Sequence, residues 1–576
     1  MKFITVAQAF EKIDKISSRL AITEILADVL KQTTPEQARQ LCYLSLGCLN
    51  PPYIGTQFAI AQKSMIKIVA RVIGMSEKEV ELQVQTLGDV GSVLEKYSWQ
   101  ASQELSIQDV YSALLEIEKI HGTGSQEEKA LKVYELVHEL DPISAKFVIR
   151  IILGKLRLGF SDMTLVDALS WMEVGDKSIR KNLEHAYNIC ADIGFIAYEL
   201  KQNGVDVIND MNIHVGVPIR PAAADRLPSA QAIVDKLGPC VVQPKLDGFR
   251  LQVHIDLTQQ EPLIRFFSRN LIDMSSMFPE FVQACKKLPI KTIILDAEAI
   301  VYDPNTGMFL SFQETVKRKR KYGIDELASE LPLQLNIFDI MYLNGQSLLD
   351  STQVERRKKL KNALDGSVDK TIIIIDEKYV STGKELEDYF IREIAAGLEG
   401  VVVKKPDSLY QAGKRSSNWI KLKYQAAEKL NDTLDVVILG YYPGKGKRAT
   451  FGIGAFLVGI HNELTDKFET VAKIGTGLSD EAWVDLKKRC DAIAVKEQPK
   501  NVNCPKELVP LVWVSPELVC EVLADEITFS PLHTAGKTDD VLGFAFRFPR
   551  FLKYRTDKLS YQTTSLDELK RFQQRK

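Results

Sequence analysis

Residues 240–256 read Cys240-Val241-Val242-Gln243-Pro244-Lys245-Leu246-Asp247-Gly248-Phe249-Arg250-Leu251-Gln252-Val253-His254-Ile255-Asp256. Two strand-like runs, Cys240 to Val242 and Leu251 to Ile255, flank a lysine that precedes an Asp-Gly turn signal. A lysine so placed stands at a strand end, with its side chain open to a pocket. Taken alone, the pattern reads equally as a surface lysine before a turn. What surrounds it decides.

Around this stretch, from about residue 215, prolines cluster (Pro218, Pro221, Pro228, Pro239, Pro244) and further strand-like runs follow at Ile293 to Leu295, Leu335 to Phe338, Ile372 to Ile375 and Val401 to Val403. A helical stretch, Glu385 to Glu393, lies among them. The mixture predicts an α+β or α/β domain ending near Tyr424. Upstream, residues 1 to about 210 are proline-sparse, with helix-start signals at Thr34-Pro35-Glu36, Ser76 to Glu79, Ser125 to Glu128 and Asp141-Pro142. Apolar spacing of three and four residues follows each, which predicts an all-α domain. After Asn431, short strand patterns (Asp435 to Gly440, Gly454 to His461, Phe468 to Ile474, Leu518 to Val522) alternate with turns, with one helix from Asp480 to Lys488. They predict a small β-barrel followed by a basic tail. The expected domains are 1–212, 213–427 and 428–576.

The chain has 576 residues, 45% hydrophobic and 26% charged, which excludes a collagen or a disordered chain and favours several domains. No run approaches the roughly 18 apolar residues of a membrane span. Gln8, Glu11, Lys12 and Asp14 come too early for a signal peptide, so a cytoplasmic location is expected. Eight cysteines without a C-x-x-C pair argue against a zinc ribbon and suit a reducing compartment. Against 76 acids stand 74 Lys and Arg, a net charge of −2. By itself that leans against a polyanion partner, and only clustering of charge reverses it.

Charge does cluster, and in an order. After Lys245-Leu246-Asp247-Gly248 come Ser268-Arg269-Asn270, Leu295-Asp296-Ala297-Glu298, Phe338-Asp339, Glu399-Gly400-Val401-Val402-Val403-Lys404, Arg415, and Trp419-Ile420-Lys421-Leu422-Lys423. Near the end stand Arg547-Phe548-Pro549-Arg550 and Arg555-Thr556-Asp557-Lys558. This ordered set resembles the nucleotidyltransferase motifs of ATP-dependent DNA ligases, a superfamily shared with mRNA-capping enzymes and RNA ligases. The helical region from His121 to Gly159 is similar to the DNA-binding domain of the large archaeal, eukaryotic and some bacterial ligases. The resemblance spans nearly the whole chain. It implies an all-α DNA-binding domain, an α+β adenylation domain and a β-barrel oligonucleotide-binding (OB) domain.

The resemblance implies that Lys245 attacks the α-phosphate of ATP, expels pyrophosphate and holds AMP. Positive charge from Arg250, Lys421 and Lys423 would favour the unprotonated amine such an attack requires. Asp247 is expected near the ribose, although an Asp-Gly turn explains it equally. Glu298 and Glu399, carboxylates at strand ends, are the expected ribose and Mg²⁺ ligands. Phe338 is either a core residue or the surface on which adenine stacks. Arg269, Arg415, Lys421 and Lys423 are expected phosphate ligands, the last two pointing to one side of a strand. Arg555, Asp557 and Lys558 are expected to form a mobile lid over pyrophosphate. Lys146, Arg150, Lys155 and Arg157 are expected on the DNA backbone, as are Lys445 to Arg448 and Lys317 to Lys321, although a solvated helix face or loop suits Lys317 to Lys321 at least equally. Gly154 and Gly159 would allow close approach, with a helix N-terminus at the phosphate.

Two departures stand out. Gln243 replaces the glutamate usual two residues before the lysine, so an adenine contact there keeps an acceptor but gains a donor. Ala222-Ala223 follow Pro218-Ile219-Arg220-Pro221 where Met-Leu is usual. No sliding-clamp motif is evident. The expected partner is nicked duplex DNA, encircled by a monomer. An RNA ligase, a guanylyltransferase and a non-catalytic DNA-binding scaffold are the competing readings, and joint retention of Lys245, Glu298, Glu399, Lys421 and Lys423 weighs against the scaffold.

Overall fold

In the computed structural model of the chain, the described residues are all except 100–103, 157, 305, 311, 319–326, 329, 365–370, 424–432, 445 and 575–576, with the side chains of 312, 313, 446, 447 and 574 also left out. They gather into two compact units. One combines Met1–Ile68 with Tyr97–Tyr424, and the other combines Val69–Lys96 with Gln425–Lys576.

The N-terminal part of the chain is helical, from Phe3–Asp14 to Val205–Asn209, with Glu77–Leu87 belonging to the second unit and the rest mainly to the first, and among the described residues no strand interrupts these helices. The sequence signals place most starts correctly. Thr34 and Gln37 cap Pro35–Ser45 reciprocally, and Asp141 Oδ1 accepts the Ile143 and Ser144 amides at 3.0 Å. Each such cap contributes about 1 kcal/mol. Ser125 differs. The cap of Ser125–Glu139 is Gly124, and Ser125 is already helical, because Gly124 in the left-handed region turns the chain one residue early. The helix Pro142–Ile152 is buried on all sides from Ser144 to Ile152. Its two cations are paired inside the fold, Lys146 to Glu11 at 2.7 Å and Arg150 to Asp14 at 3.0 Å.

Two sheets follow in the same unit. Five strands lie in the order Ala223–Arg226, Arg415–Lys423, Gly400–Lys404, Cys240–Lys245, Lys378–Val380. The other sheet orders Leu263–Ser268, Phe249–Asp256, Thr292–Val301, Leu333–Leu343 and Gln346–Ser347, with Ile372–Ile374 also paired to Leu333–Leu343. Most pairings are antiparallel, so of the two expected classes the strands realise α+β. The opening stretch joins the sheets: Cys240–Lys245 ends in one and Phe249–Asp256 begins in the other. At the crossing, a Cβ on Gly248 would stand 2.2 Å from the Ala299 carbonyl oxygen, so only glycine lets the chain pass.

Strand alternation then sorts the residues. Val242, Val401, Val403, Ile420 and Leu422 pack with the helices Ala230–Leu237 and Gly383–Ala395 into one core. Leu251, Val253, Leu295, Ala297, Leu335 and Ile337 pack with Phe266, Phe278 and Phe281 into another. Each such side chain contributes roughly 1.5–3 kcal/mol by leaving water. The alternate positions of both sheets carry the polar residues. Gln252 grips the Ile219 backbone by both amide atoms (2.7 and 2.8 Å), and His254 Nδ1 accepts the Gly216 amide at 3.0 Å. Burial pushes His254 down to about 3, leaving it a neutral acceptor. These bonds fix the Pro218-to-Pro221 lead-in against the sheet. A third cluster, with Ile189, Ile219, Ile294, Tyr410 and Trp419, packs the end of the helical region onto the strands.

The second unit contains an eight-stranded sheet whose central strands are Leu434–Tyr442, Ala455–Asn462 and Lys467–Ile474. Leu434–Tyr442 bends at a register shift after Ile438 and divides its second edge between Val512–Val514 and Val519–Leu523, which curls the sheet. Its core holds Ile438, Phe456, Val458, Val471 and, from the helix Asp480–Ala492, Trp483 and Leu486. The strand and helix expectations for this region coincide with these elements to within a few residues. No helix among the described residues is long and apolar enough to cross a membrane, and all eight cysteines are free thiols.

Candidate active site

Register brings the site together. Gly400 pairs with Lys245 on one side and Lys423 on the other, and Val402 pairs with Gln243 and Lys421. Residues two apart on a strand share a face, so Gln243, Lys245, Lys421 and Lys423 line one surface, opposite the apolar core. Glu399, just before that central strand, accepts hydrogen bonds from both Lys245 Nζ and Lys423 Nζ. Burial alone would raise its pKa, but the two ammonium groups outweigh it and hold the carboxyl below the usual range.

The other sheet supplies the second wall. Arg250 and Glu298 are cross-strand neighbours, and Glu298 Oε1 accepts the Gly248 amide at 3.1 Å. Burial pushes Glu298 up to about 7, although Lys245, Arg250 and the Gly248 amide all favour its ionised form. Arg250 forms a fork with Asp296 (2.9 and 2.6 Å), and the Tyr410 hydroxyl donates to the same carboxylate at 2.8 Å. Phe338 is half-buried between two apolar clusters, with the Arg250 guanidinium 5.5 Å and Lys404 Nζ 5.3 Å from its ring centre. It is neither fully buried nor fully exposed, so the core and stacking readings are compatible.

Lys421 is drawn into a shared field. Burial first, then Lys423, Arg415, Lys245 and Arg269, lower its pKa, so the other three expected phosphate ligands lie within electrostatic reach of Lys421. Asp247 is exposed beside the crossing. Two hard-oxygen carboxylates, Glu298 and Glu399, stand on either side of Lys245. Among the described residues no group of three or more His, Cys, Asp or Glu could hold a metal. That donor set fits Mg²⁺, which takes one or two carboxylates and fills its shell with phosphate oxygens and water.

Some expected residues are placed elsewhere. Arg555 bonds both oxygens of Asp435 (2.9 and 3.1 Å) and forks onto Asp557, and Lys558 also bonds Asp435, so the lid residues are tied within the second unit. Arg150, proposed for DNA contact, is buried against Asp14 and Phe147. Lys155 is half-buried and donates to Gln62 at 3.2 Å. Arg157 lies outside the described residues, as do Lys319 to Lys321 and Lys445. The Gly154 to Gly159 segment runs from the end of Pro142–Ile152 toward the start of Asp162–Val174, and Gly154 itself lies at the helix C-terminus. Gly154 at φ +63° ends Pro142–Ile152, and the Lys155 amide returns to the Arg150 carbonyl at 2.8 Å. That end presents carbonyls, not amides, so no helix N-terminus greets a phosphate at Gly154.

Sequence reasoning assigned no role to a buried network below Phe338. Asp339 takes Arg356 (2.8 and 3.2 Å) and Lys404 (3.1 Å), and Lys404 also donates to the Phe338 carbonyl at 3.1 Å. The available signal was Asp339 itself, a carboxylate inside an apolar strand that requires a cation.

The family described as "ATP dependent DNA ligase domain" matches residues 221–423, "DNA ligase N terminus" matches 2–170, and "ATP dependent DNA ligase C terminal region" matches 449–558. A "Probable DNA ligase" of Dictyoglomus turgidum is 42% identical, covering 99% of this chain and 97% of its own. A "DNA ligase" of Nitrosopumilus maritimus is 36% identical over the same shares. A solved structure described as "Pmar-Lig_PreS3" is similar in fold, with a TM-score of 0.54 at 18% identity, covering 95% of this chain and 99% of its own. With its adenylation domain on the two-sheet region, the chain belongs to the multidomain ATP-dependent DNA ligase family.

Proposed function

We propose that this chain seals nicks in duplex DNA with Lys245 as the adenylated nucleophile, using an all-α DNA-binding domain (1–212), an adenylation domain (213–427) and an OB-fold barrel (428–576). The observation that carries this is the placing of Lys245 where the two sheets join, between Glu298 and Glu399 and beside Lys421 and Lys423. Glu399 holds the Lys245 ammonium at the strand end by accepting its N–H, and attack on the α-phosphate requires that ammonium first to give up a proton, freeing the nitrogen lone pair. Lys421, Lys423, Arg269 and Arg415 then neutralise phosphate oxygens, while Phe338 takes the flat face of the base. Mg²⁺, held by Glu298 and Glu399, would add charge neutralisation at the phosphates. Transfer of AMP to a DNA 5′-phosphate and attack by the 3′-hydroxyl complete the reaction. The lid reading requires Arg555 and Lys558 to exchange Asp435 for pyrophosphate. On the DNA side the half-buried Lys155 is more accessible to a phosphate backbone than the buried Arg150.

Incubation with Mg²⁺ and α-labelled ATP should place label on the protein, and nicked duplex DNA should discharge it as AMP with a sealed strand. Absence of label on the wild type, or equal label on Lys245→Ala, defeats this reading. Sealing of nicked RNA in preference to DNA would reassign the enzyme to RNA ligation.

A further inference from the structure

Gln243 is one of the two positions where the sequence departs from what the resemblance leads one to expect, and its surroundings give that exchange a purpose. The side chain is 1% exposed and lies on the site face. Its Nε2 donates to Glu377 Oε2 at 3.0 Å and reaches the Phe338 carbonyl at 3.5 Å. Both partners are acceptors only, so the amide is fixed with its NH₂ toward them. The flipped amide would bring three acceptors together without a proton. Among the described residues Oε1 accepts no hydrogen bond.

Glu377 is itself well anchored. Val242 pairs with Lys378, so Glu377 occupies the next register position, opposite Gln243. Its carboxylate also accepts from Gln353 Nε2 at 3.2 Å and is ion-paired with Arg357 at 3.3 Å. It cannot readily turn away.

We infer that Glu377 is a positioning residue for base choice: by locking the Gln243 amide, it leaves Oε1 as an acceptor for the exocyclic amine of a 6-aminopurine and withholds the donor that a 6-oxopurine would need. This rests on the reading of Lys245 as the nucleotidylated residue. A free carboxamide serves either purine by flipping, whereas a locked one does not. The carboxylate that the family usually has at position 243 is in effect moved one strand away, and the amide relays its acceptor-only character.

The experiment compares rates of protein labelling by α-labelled ATP and α-labelled GTP, with Mg²⁺, on the full chain. The ATP-to-GTP ratio is internal to folded molecules, so loss of stability does not move it. Glu377→Gln should lower that ratio about tenfold or more, because the neutral partner lets the Gln243 amide turn. The double exchange Gln243→Glu with Glu377→Gln should restore the ratio to within about threefold of wild type, since a carboxylate at 243 accepts without a lock. An unchanged ratio in Glu377→Gln, with wild type labelled by ATP, overturns this inference alone. So does a double exchange as indiscriminate as the single variant, an outcome that decides the matter even where Glu377→Gln is poorly soluble. Wild type that takes label from neither nucleotide overturns the nucleotidyl-transfer reading, and this inference with it.

Discussion

Two clusters in the adenylation region share one formula, a carboxylate between two cations, and differ in burial. At Glu399 the partners are Lys245 and Lys423, with side chains 21–34% exposed. At Asp339 they are Arg356 and Lys404, with side chains at most 4% exposed. The buried cluster is completed by protein: Arg356 also reaches the Ser351 and Ser408 carbonyls, and Lys404 reaches the Phe338 carbonyl. The half-exposed cluster has open sides. One formula therefore yields a fixed floor beneath Phe338, reached by Lys404 at one end of Gly400–Lys404, and at the other end, by Glu399, charges that a nucleotide phosphate can rearrange. Depth decides which.

The largest test removes the nucleophile. Lys245→Ala should lower nucleotide labelling at least about 10⁴-fold, while the unfolding free energy stays within about 0.5 kcal/mol, because a half-exposed ion pair contributes little to folding. A variant that unfolds easily would break the comparison from its open side. Next comes the floor. Asp339→Ala should cost roughly 3–5 kcal/mol of stability, measured by urea unfolding, since it strands two buried cations. A loss below about 1 kcal/mol would show that water reaches Arg356 and Lys404, and the distinction by depth would collapse.

The sequence discloses these two clusters unequally. Lys245, Glu399 and Lys423 are legible because a lysine before Asp-Gly, a glutamate before a valine strand and alternating lysines are local patterns. Arg356 is not legible: within Gln353–Ala363 it stands among Glu355, Arg357, Lys358 and Lys359, which read as a solvated face, and only the tertiary fold turns it inward. The same holds for Arg150, whose acid partner lies 136 residues away. Strands and helices follow local spacing, so they were readable. Burial of charge depends on which distant acid arrives, and the chain's local pattern does not state that.

A smaller effect extends the buried side to a neutral group. His254 is held at about 3, below its ordinary value near 6.5. The unfolded chain therefore binds a proton as pH falls through 6.5 and the folded chain does not, so stability is lost on the acid side. Linkage gives about 2 kcal/mol lost at pH 5 relative to neutral pH. His254→Gln should shrink that pH-dependent loss in paired urea titrations at pH 7.5 and 5.0. An identical loss in the variant would place the titrating group elsewhere.

The smallest expected effect is the most discriminating. Lys423→Gln removes one cation from Glu399, as Asp339→Ala disrupts the other cluster, but here the pair is a third exposed and screened by solvent. Unfolding should change by less than about 1 kcal/mol. Labelling should respond more than folding does, with a larger loss at low ATP than at saturating ATP, because the lost contact is with phosphate oxygens. If stability falls as far as in Asp339→Ala, the Glu399 cluster is part of the framework after all. If neither stability nor labelling moves, Lys423 is solvated surface, and the open cluster reduces to Lys245 and Glu399.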